Sequence, residues 1–113
     1  MRILFVENHN QFVSIVTRQF LSNHDVTVVP SIAAALEQLE SSEFDVVLVD
    51  YDLDDGKGNQ LIRKIRSNML AVKIVAVSSH EQGNMALSES GADAICSKMD
   101  FNRIEEVLES LAT

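Results

Sequence analysis

The 113-residue chain has one cysteine, one proline, four glycines and no tryptophan. A lone cysteine, Cys96, excludes an internal disulfide framework and fits a reducing compartment. It falls in an apolar stretch, where a thiol is expected to pack as core rather than react. No apolar run approaches the ~20 residues of a membrane span. Met1–Phe12 reaches polar and acidic residues too early for a secretory signal. A cytoplasmic protein without membrane contact is therefore expected. Basic residues are also scarce: nine Lys and Arg stand against seventeen Asp and Glu, a net charge of −8. The basic face needed for sequence-independent binding of nucleic acid or anionic lipid is missing, so no direct nucleic-acid partner is expected.

What the chain does have is apolar residues, 46% of the total. That is enough for one domain over residues 1–113 to build its own core. Arg2–Val6 (RILFV) reads as a continuous apolar strand. Phe12, Ile15/Val16 and Phe20 then fall on one helical face. Val26–Val29 is a second strand, stopped by Pro30. Ser31 suits an N-cap for a helix carrying Ile32, Ala35, Leu36 and Leu39. The third strand runs through Val46–Val49, and after Gly58 a helix lines up Leu61, Ile62 and Ile65. Lys73–Val77 is the fourth strand. A short polar helix follows around Asn84–Ser90, with Met85 and Leu87 as its apolar residues and Gly91 at its C′ position. Ala94–Ser97 is the fifth strand. Asp100 is placed to cap a last helix with Phe101, Ile104, Val107, Leu108 and Leu111 along one side.

This alternation is (βα)₅, an α/β pattern. Continuous rather than alternating aliphatic strands predict a parallel sheet covered on both faces. Short right-handed crossovers favour a doubly wound sheet of flavodoxin-like order 2-1-3-4-5. Ligands then sit beyond the carboxyl ends of the strands, at the switch point between the first and third.

The residues just past four of the strands are Glu7-Asn8, Asp50, Ser78 and Lys98. Each type suits phosphoryl transfer. A carboxylate can attack phosphorus and form an acyl phosphate. Equatorial oxygens need cations and positioned donors. A hard cation such as Mg²⁺ needs only two or three protein oxygens. Each residue alone has a plainer reading: aspartates form turns after strands, and lysines and serines there are usually solvated. Their joint occurrence at four strand ends carries the functional reading.

The whole chain, from RILFVEN through VVLVDYDLDDGKG and KIVAVSS to GADAICSK, resembles the response-regulator receiver domains of two-component signalling. The Asp50-to-Gly58 spacing and the GAD-x-x-x-x-K block carry the likeness. It implies that Asp50 accepts a phosphoryl group from a histidine kinase or phosphotransfer protein, with Mg²⁺, and that Ser78 and Lys98 contact the phosphoryl oxygens. Glu7, Asn8, Asp50 and the backbone carbonyl of Asp52 are the implied metal ligands, leaving Asp54 and Asp55 as loop solvation. The implied activity is not that of a conventional enzyme, beyond self-phosphorylation and autodephosphorylation at Asp50.

Three positions depart from the family. Asn8 stands where an aspartate usually binds the metal, so weaker Mg²⁺ binding is expected. Ile95 replaces an aromatic residue whose rotamer usually follows the hydroxyl. Met99 replaces a proline with a cis bond; a non-proline cis bond costs ~2.5–4 kcal/mol, so a trans bond is expected. The departures leave a second reading open, an atypical receiver that binds a partner protein without phosphorylation. The resemblance places a face for an unknown downstream protein on the fourth helix, fifth strand and fifth helix, including Met85, Leu87, Cys96, Asn102, Glu105 and Glu106. With the chain ending at Thr113, after the last helix, both a stand-alone receiver and the receiver of a longer protein fit.

Other motifs fit less well. Asp50-x-Asp52 resembles the nucleophile motif of haloacid-dehalogenase-type phosphatases, but that motif belongs on the first strand, followed by Thr or Ser. Read as an EF-hand from Asp50, the loop has Asp55 where glycine is needed and Leu61 where an acid is needed. No G-x-G-x-x-G follows the first strand. His9, His24 and His80 lack metal-ligand spacing; His80, two residues past Ser78, is placed to border the site.

Overall fold

A computed structural model describes residues 1–112. Strands β1 (Arg2–Val6), β2 (Asp25–Val29), β3 (Val46–Val49), β6 (Lys73–Ala76) and β7 (Ala94–Ile95) form one parallel sheet, ordered β2-β1-β3-β6-β7. Counting only these five strands, that is the 2-1-3-4-5 order. Two further strands, β4 (Asp52–Leu53) and β5 (Gly56–Lys57), pair antiparallel as a small hairpin just after Asp50. They were not foreseen, because two-residue strands carry no period to read.

Alternation along each strand sends its apolar residues to two separate cores. Leu4, Val6, Val47, Val49, Ile74 and Ala76 pack under α2 (Ile32–Ser41), α3 (Gly58–Ser67) and α4 (Glu81–Glu89). Ile3, Phe5, Val46, Leu48, Val75 and Val77 pack under α1 (Asn10–Phe20) and α5 (Ile104–Ala112). A strand buried on both sides must be apolar at every position, which is why these strands read as unbroken runs.

The helix starts follow local chemistry. His9 accepts the Phe12 N–H at α1 (3.2 Å) and Ser31 accepts the Ala34 N–H at α2 (3.1 Å), satisfying otherwise unpaired first-turn donors. Gly91 follows the C-cap of α4 with φ +122°, a conformation that L side chains rarely adopt.

Several expectations are corrected. Helix α4 starts at Glu81, three residues before the expected Asn84. Ile15 is half exposed, and Val13 takes the core position beside Val16. A 3₁₀ segment, Lys98–Arg103, precedes α5; Asp100 lies inside it with non-helical dihedrals, and Ser97 supplies the cap through its hydroxyl to the Met99 N–H (3.2 Å). Cys96 is core, as its apolar stretch predicts, and Leu87 is core as well, so neither offers anything to the partner face expected to include them. Burial pushes the Cys96 thiol up to about 11, so it stays protonated as an apolar packing group. Glu105 is engaged with His24, which also meets the N-terminal amine of Met1. Met85 and Ile95 remain exposed on the foreseen face.

Candidate functional site

The register across the sheet sets where the site forms. Val29, Val6, Val49, Ala76 and Ile95 stand side by side. The chain therefore leaves all five strands at one edge. Backbone bonds continue past the strand ends, from Glu7 N–H to Val29 O (2.9 Å), Asp50 N–H to Val6 O (3.0 Å) and Lys98 N–H to Ser78 O (3.3 Å). Glu7, Asp50 and Lys98 are each tied through their own N–H to a neighbouring segment.

Those three side chains make a largely buried ionic cluster. Lys98 Nζ lies 2.7 Å from Glu7 Oε1 and 3.4 Å from Asp50 Oδ2. Glu7 is 1% exposed, Asp50 7%. The contact to Glu7 Oε1 is ionic rather than an aligned hydrogen bond, and no other donor reaches that oxygen. The second oxygen, Oε2, accepts the His9 N–H at 3.1 Å. Burial disfavours the Glu7 charge and lifts its carboxyl to about 7; the nearby Asp50 adds to the rise, and Lys98 opposes it. The ammonium of Lys98 also sits 4.9 Å from the centre of the Phe12 ring, a cation–π contact that sequence pattern did not assign. Phe12 is in turn fixed edge-on against Phe5 and Phe101.

Ser78 is buried at the end of the fourth main strand, and its Oγ accepts the His80 N–H (3.1 Å). Its backbone is clamped by a residue missed in the sequence. Buried Asn84 accepts the Ser78 N–H through Oδ1 and donates through Nδ2 to Ser78 O, both at 2.9 Å. The only sequence signal was a polar residue on the inner side of a short helix. Two glycines allow the close approaches here. A Cβ on Gly83 would stand 2.6 Å from Ser78 Oγ, and one on Gly58 would stand 2.0 Å from the Asp50 carbonyl oxygen.

The acids after Asp50 lie outside this cluster. Asp52 is exposed and pairs with Lys57 across the β4–β5 hairpin. Asp54 accepts from Asn8 Nδ2 at 3.0 Å, and its own N–H donates to Pro30 O at 3.2 Å. Asp55 accepts the Ile32 N–H (2.7 Å) and the Ala33 N–H (3.0 Å), which hold its carboxyl below the usual carboxylate range. So Asp54 and Asp55 are structural ties, not the loop solvation expected. His80 does border the site. With Tyr51, Asp52, Lys57, Gln82 and Gly83 it lines a cavity of about 250 Å³. A larger cavity, about 510 Å³, lies at the opposite end of the sheet among Arg2, Leu39, Phe44, Asp45 and Leu70, away from Asp50. The Lys98–Met99 bond is trans.

The donor chemistry suits a hard cation. Two carboxylates (Glu7, Asp50) and one amide (Asn8) follow the first and third strands, and Glu7 Oε1 is buried without an aligned hydrogen bond. Among the described residues, no three His, Cys, Asp or Glu side chains group as a metal cage. With Asn8 in place of an acid, a carboxylate-only cage is not to be looked for.

The sequence profile of the response regulator receiver domain matches residues 3–109, and the chain belongs to that family. As a member it is a receiver domain of two-component signalling. No curated protein matches it. Its fold is shared with solved structures of low identity. The response regulator TrrA from Thermotoga maritima, in complex with Mg²⁺-BeF, is 20% identical, with TM-score 0.86 over 97% of both chains. A CheY-like receiver domain from Methylobacillus flagellatus is 23% identical, with TM-score 0.84 over 98% of both chains. Another, from Methanospirillum hungatei, is 23% identical, with TM-score 0.80 over 98% of this chain and 93% of that one. No helix among the described residues is long and apolar enough to cross a membrane.

Proposed function

We propose that Asp50 is the phospho-acceptor of a histidine kinase or phosphotransfer protein. The observation that carries this reading is the buried carboxylate of Asp50 with the Lys98 ammonium 3.4 Å away. An Asp50 carboxylate oxygen attacks the phosphorus of a phosphohistidine, and the bond from phosphorus to the donor nitrogen breaks. The product is an acyl phosphate, and the electron pair returns to the donor imidazole. Charge on the three equatorial oxygens calls for positioned cations and donors. Lys98 supplies one cation, and the Ser78 hydroxyl supplies a donor once it turns from its present contact with the His80 N–H. Autodephosphorylation reverses the charge flow, with water attacking phosphorus and the Asp50 carboxylate leaving.

Glu7, Asn8, Asp50 and the carbonyl of Asp52 are the residues that would hold Mg²⁺, whose chemistry is to neutralise phosphoryl oxygens. The TrrA complex with Mg²⁺-BeF, a relative of the same fold, supports this choice of ion. Phosphorylation shifts the domain between two conformations only by interacting differently with each, and Ser78 and Lys98 supply that difference. The face bearing Met85, Ile95, Asn102 and Glu106 then meets a downstream protein.

Intact-mass measurement after incubation with a small acyl-phosphate donor and Mg²⁺ tests the reading. One phosphoryl group is expected on the wild type and none on Asp50→Asn. No uptake by the wild type, or uptake that survives Asp50→Asn, would overturn it.

A further inference from the structure

Asn8 is the family's most consequential departure in this chain, and the structure shows what is bonded to it. Its amide nitrogen donates to Asp54 Oδ1 at 3.0 Å, tying the segment after β1 to the turn between β4 and β5. An amide side chain can present either its oxygen or its nitrogen to a cation, and only the oxygen is a ligand. An ionised carboxylate only accepts, so Asp54 selects the orientation in which the nitrogen faces it and the oxygen is the remaining end. Asp54 is itself held, through its N–H to Pro30 O and through Asp55 on the first turn of α2. It also brings a negative charge next to a position that has lost one.

We propose that Asp54 is a positioning residue for the metal site. It fixes the Asn8 amide with its oxygen available and returns, one bond further out, part of the charge that Asn8 lacks. Outer partners of metal ligands commonly act in this way, orienting the ligand and raising its affinity. The proposal rests on the Mg²⁺ reading above, and its signature is dependence on the residue at position 8. With an amide there, Asp54 helps. With a carboxylate there, it meets a like charge and has nothing to orient.

Mg²⁺ titrations of the full chain test this, followed by the backbone amide NMR shifts of Glu7 and Asp50 and by the Asn8 side-chain NH₂ signals. The proteins compared are wild type, Asp54→Ala, Asn8→Asp and the double variant. Asp54→Ala is expected to weaken Mg²⁺ binding about three- to tenfold in the wild-type background. In the Asn8→Asp background the same change is expected to leave affinity unaltered or to tighten it. The Asn8 NH₂ signals are expected to move in Asp54→Ala before any Mg²⁺ is added. Asp54→Asn, which keeps an acceptor, is expected to fall between wild type and Asp54→Ala and serves if the alanine variant folds poorly. An equal loss in both backgrounds, or no loss in the wild type, overturns the proposal while leaving the metal site standing. Binding by Asn8→Asp but not by the wild type has the same consequence. If none of the proteins takes up Mg²⁺, the metal reading fails and the proposal with it.

Discussion

The two halves of the site use the same residue types under opposite physical conditions. On one side, Glu7, Asp50 and Ser78 are buried, with Lys98 closing over the two carboxylates. On the other, Asn8 after β1 and Asp52, Asp54 and Asp55 after β3 stand exposed to solvent. In the buried half, desolvation makes the Glu7 carboxyl reluctant to ionise. In the exposed half, water screens the charge and hydrogen-bond geometry decides what each acid does: Asp52 pairs with Lys57, Asp54 accepts from the Asn8 amide, and Asp55 caps α2. An aspartate count along FDVVLVDYDLDDGKG therefore says little. Depth sorts these acids into a buried ionic cluster and exposed ties.

The largest effect that can break this contrast is on the pH dependence of stability. Glu7 has a folded value of about 7 against an ordinary 4.5, so the folded state binds its proton more tightly than the unfolded chain does. The stability this contributes is complete below about pH 4.5 and is lost as pH rises through about 7, roughly 3 kcal/mol in all. Without divalent cations, urea unfolding at pH 5 and pH 8 should show the drop, and Glu7→Gln should flatten it. An unchanged slope in that variant would mean that burial does not govern this acid.

A smaller effect tests the buried half without a charge. Asn84→Ala leaves the Ser78 N–H without its partner, and costs about 2 kcal/mol in chemical denaturation. The Ser78 carbonyl keeps the Lys98 N–H (3.3 Å), so the loss should stop short of unfolding the domain.

In the exposed half, Asp55→Asn should speed hydrogen exchange at Ile32 and Ala33. Because the folded Asp55 titrates below its usual range, the wild type should lose the same protection as pH falls through that lowered value. Smallest of all, Lys57→Met should leave stability unchanged, since its pair with Asp52 is solvated. A measurable loss there would show that the hairpin, and not the buried cluster, holds the loop.

Much of this was legible beforehand because it is local. The five strands were found from runs such as RILFV and KIVAV, and Ser31 from its place before an apolar helix face. What was misread depended on distant partners. Ile15 and Val13 lie about 200° apart around the helix, so only one of them can face the core, and the fold buries Val13. Asp55 looked like a solvated loop residue because the N–H groups it caps lie more than twenty positions earlier, at Ile32 and Ala33. Leu87 looked available to a partner because a short polar helix does not reveal which side is covered.

The sequence alone determined the alternation of strands and helices, the residues delivered at the strand ends, and the replacement of an acid by Asn8. Those follow from side-chain period and residue identity, which are properties of neighbouring positions. Only the tertiary structure decided that Lys98 would bridge Glu7 and Asp50, that Asn84 would clamp Ser78, and that Asp54 would take the amide of Asn8. Those contacts form only when the strand ends, loops and helix starts take their places in the fold. Their energies depend on depth from water, which no stretch of sequence carries by itself.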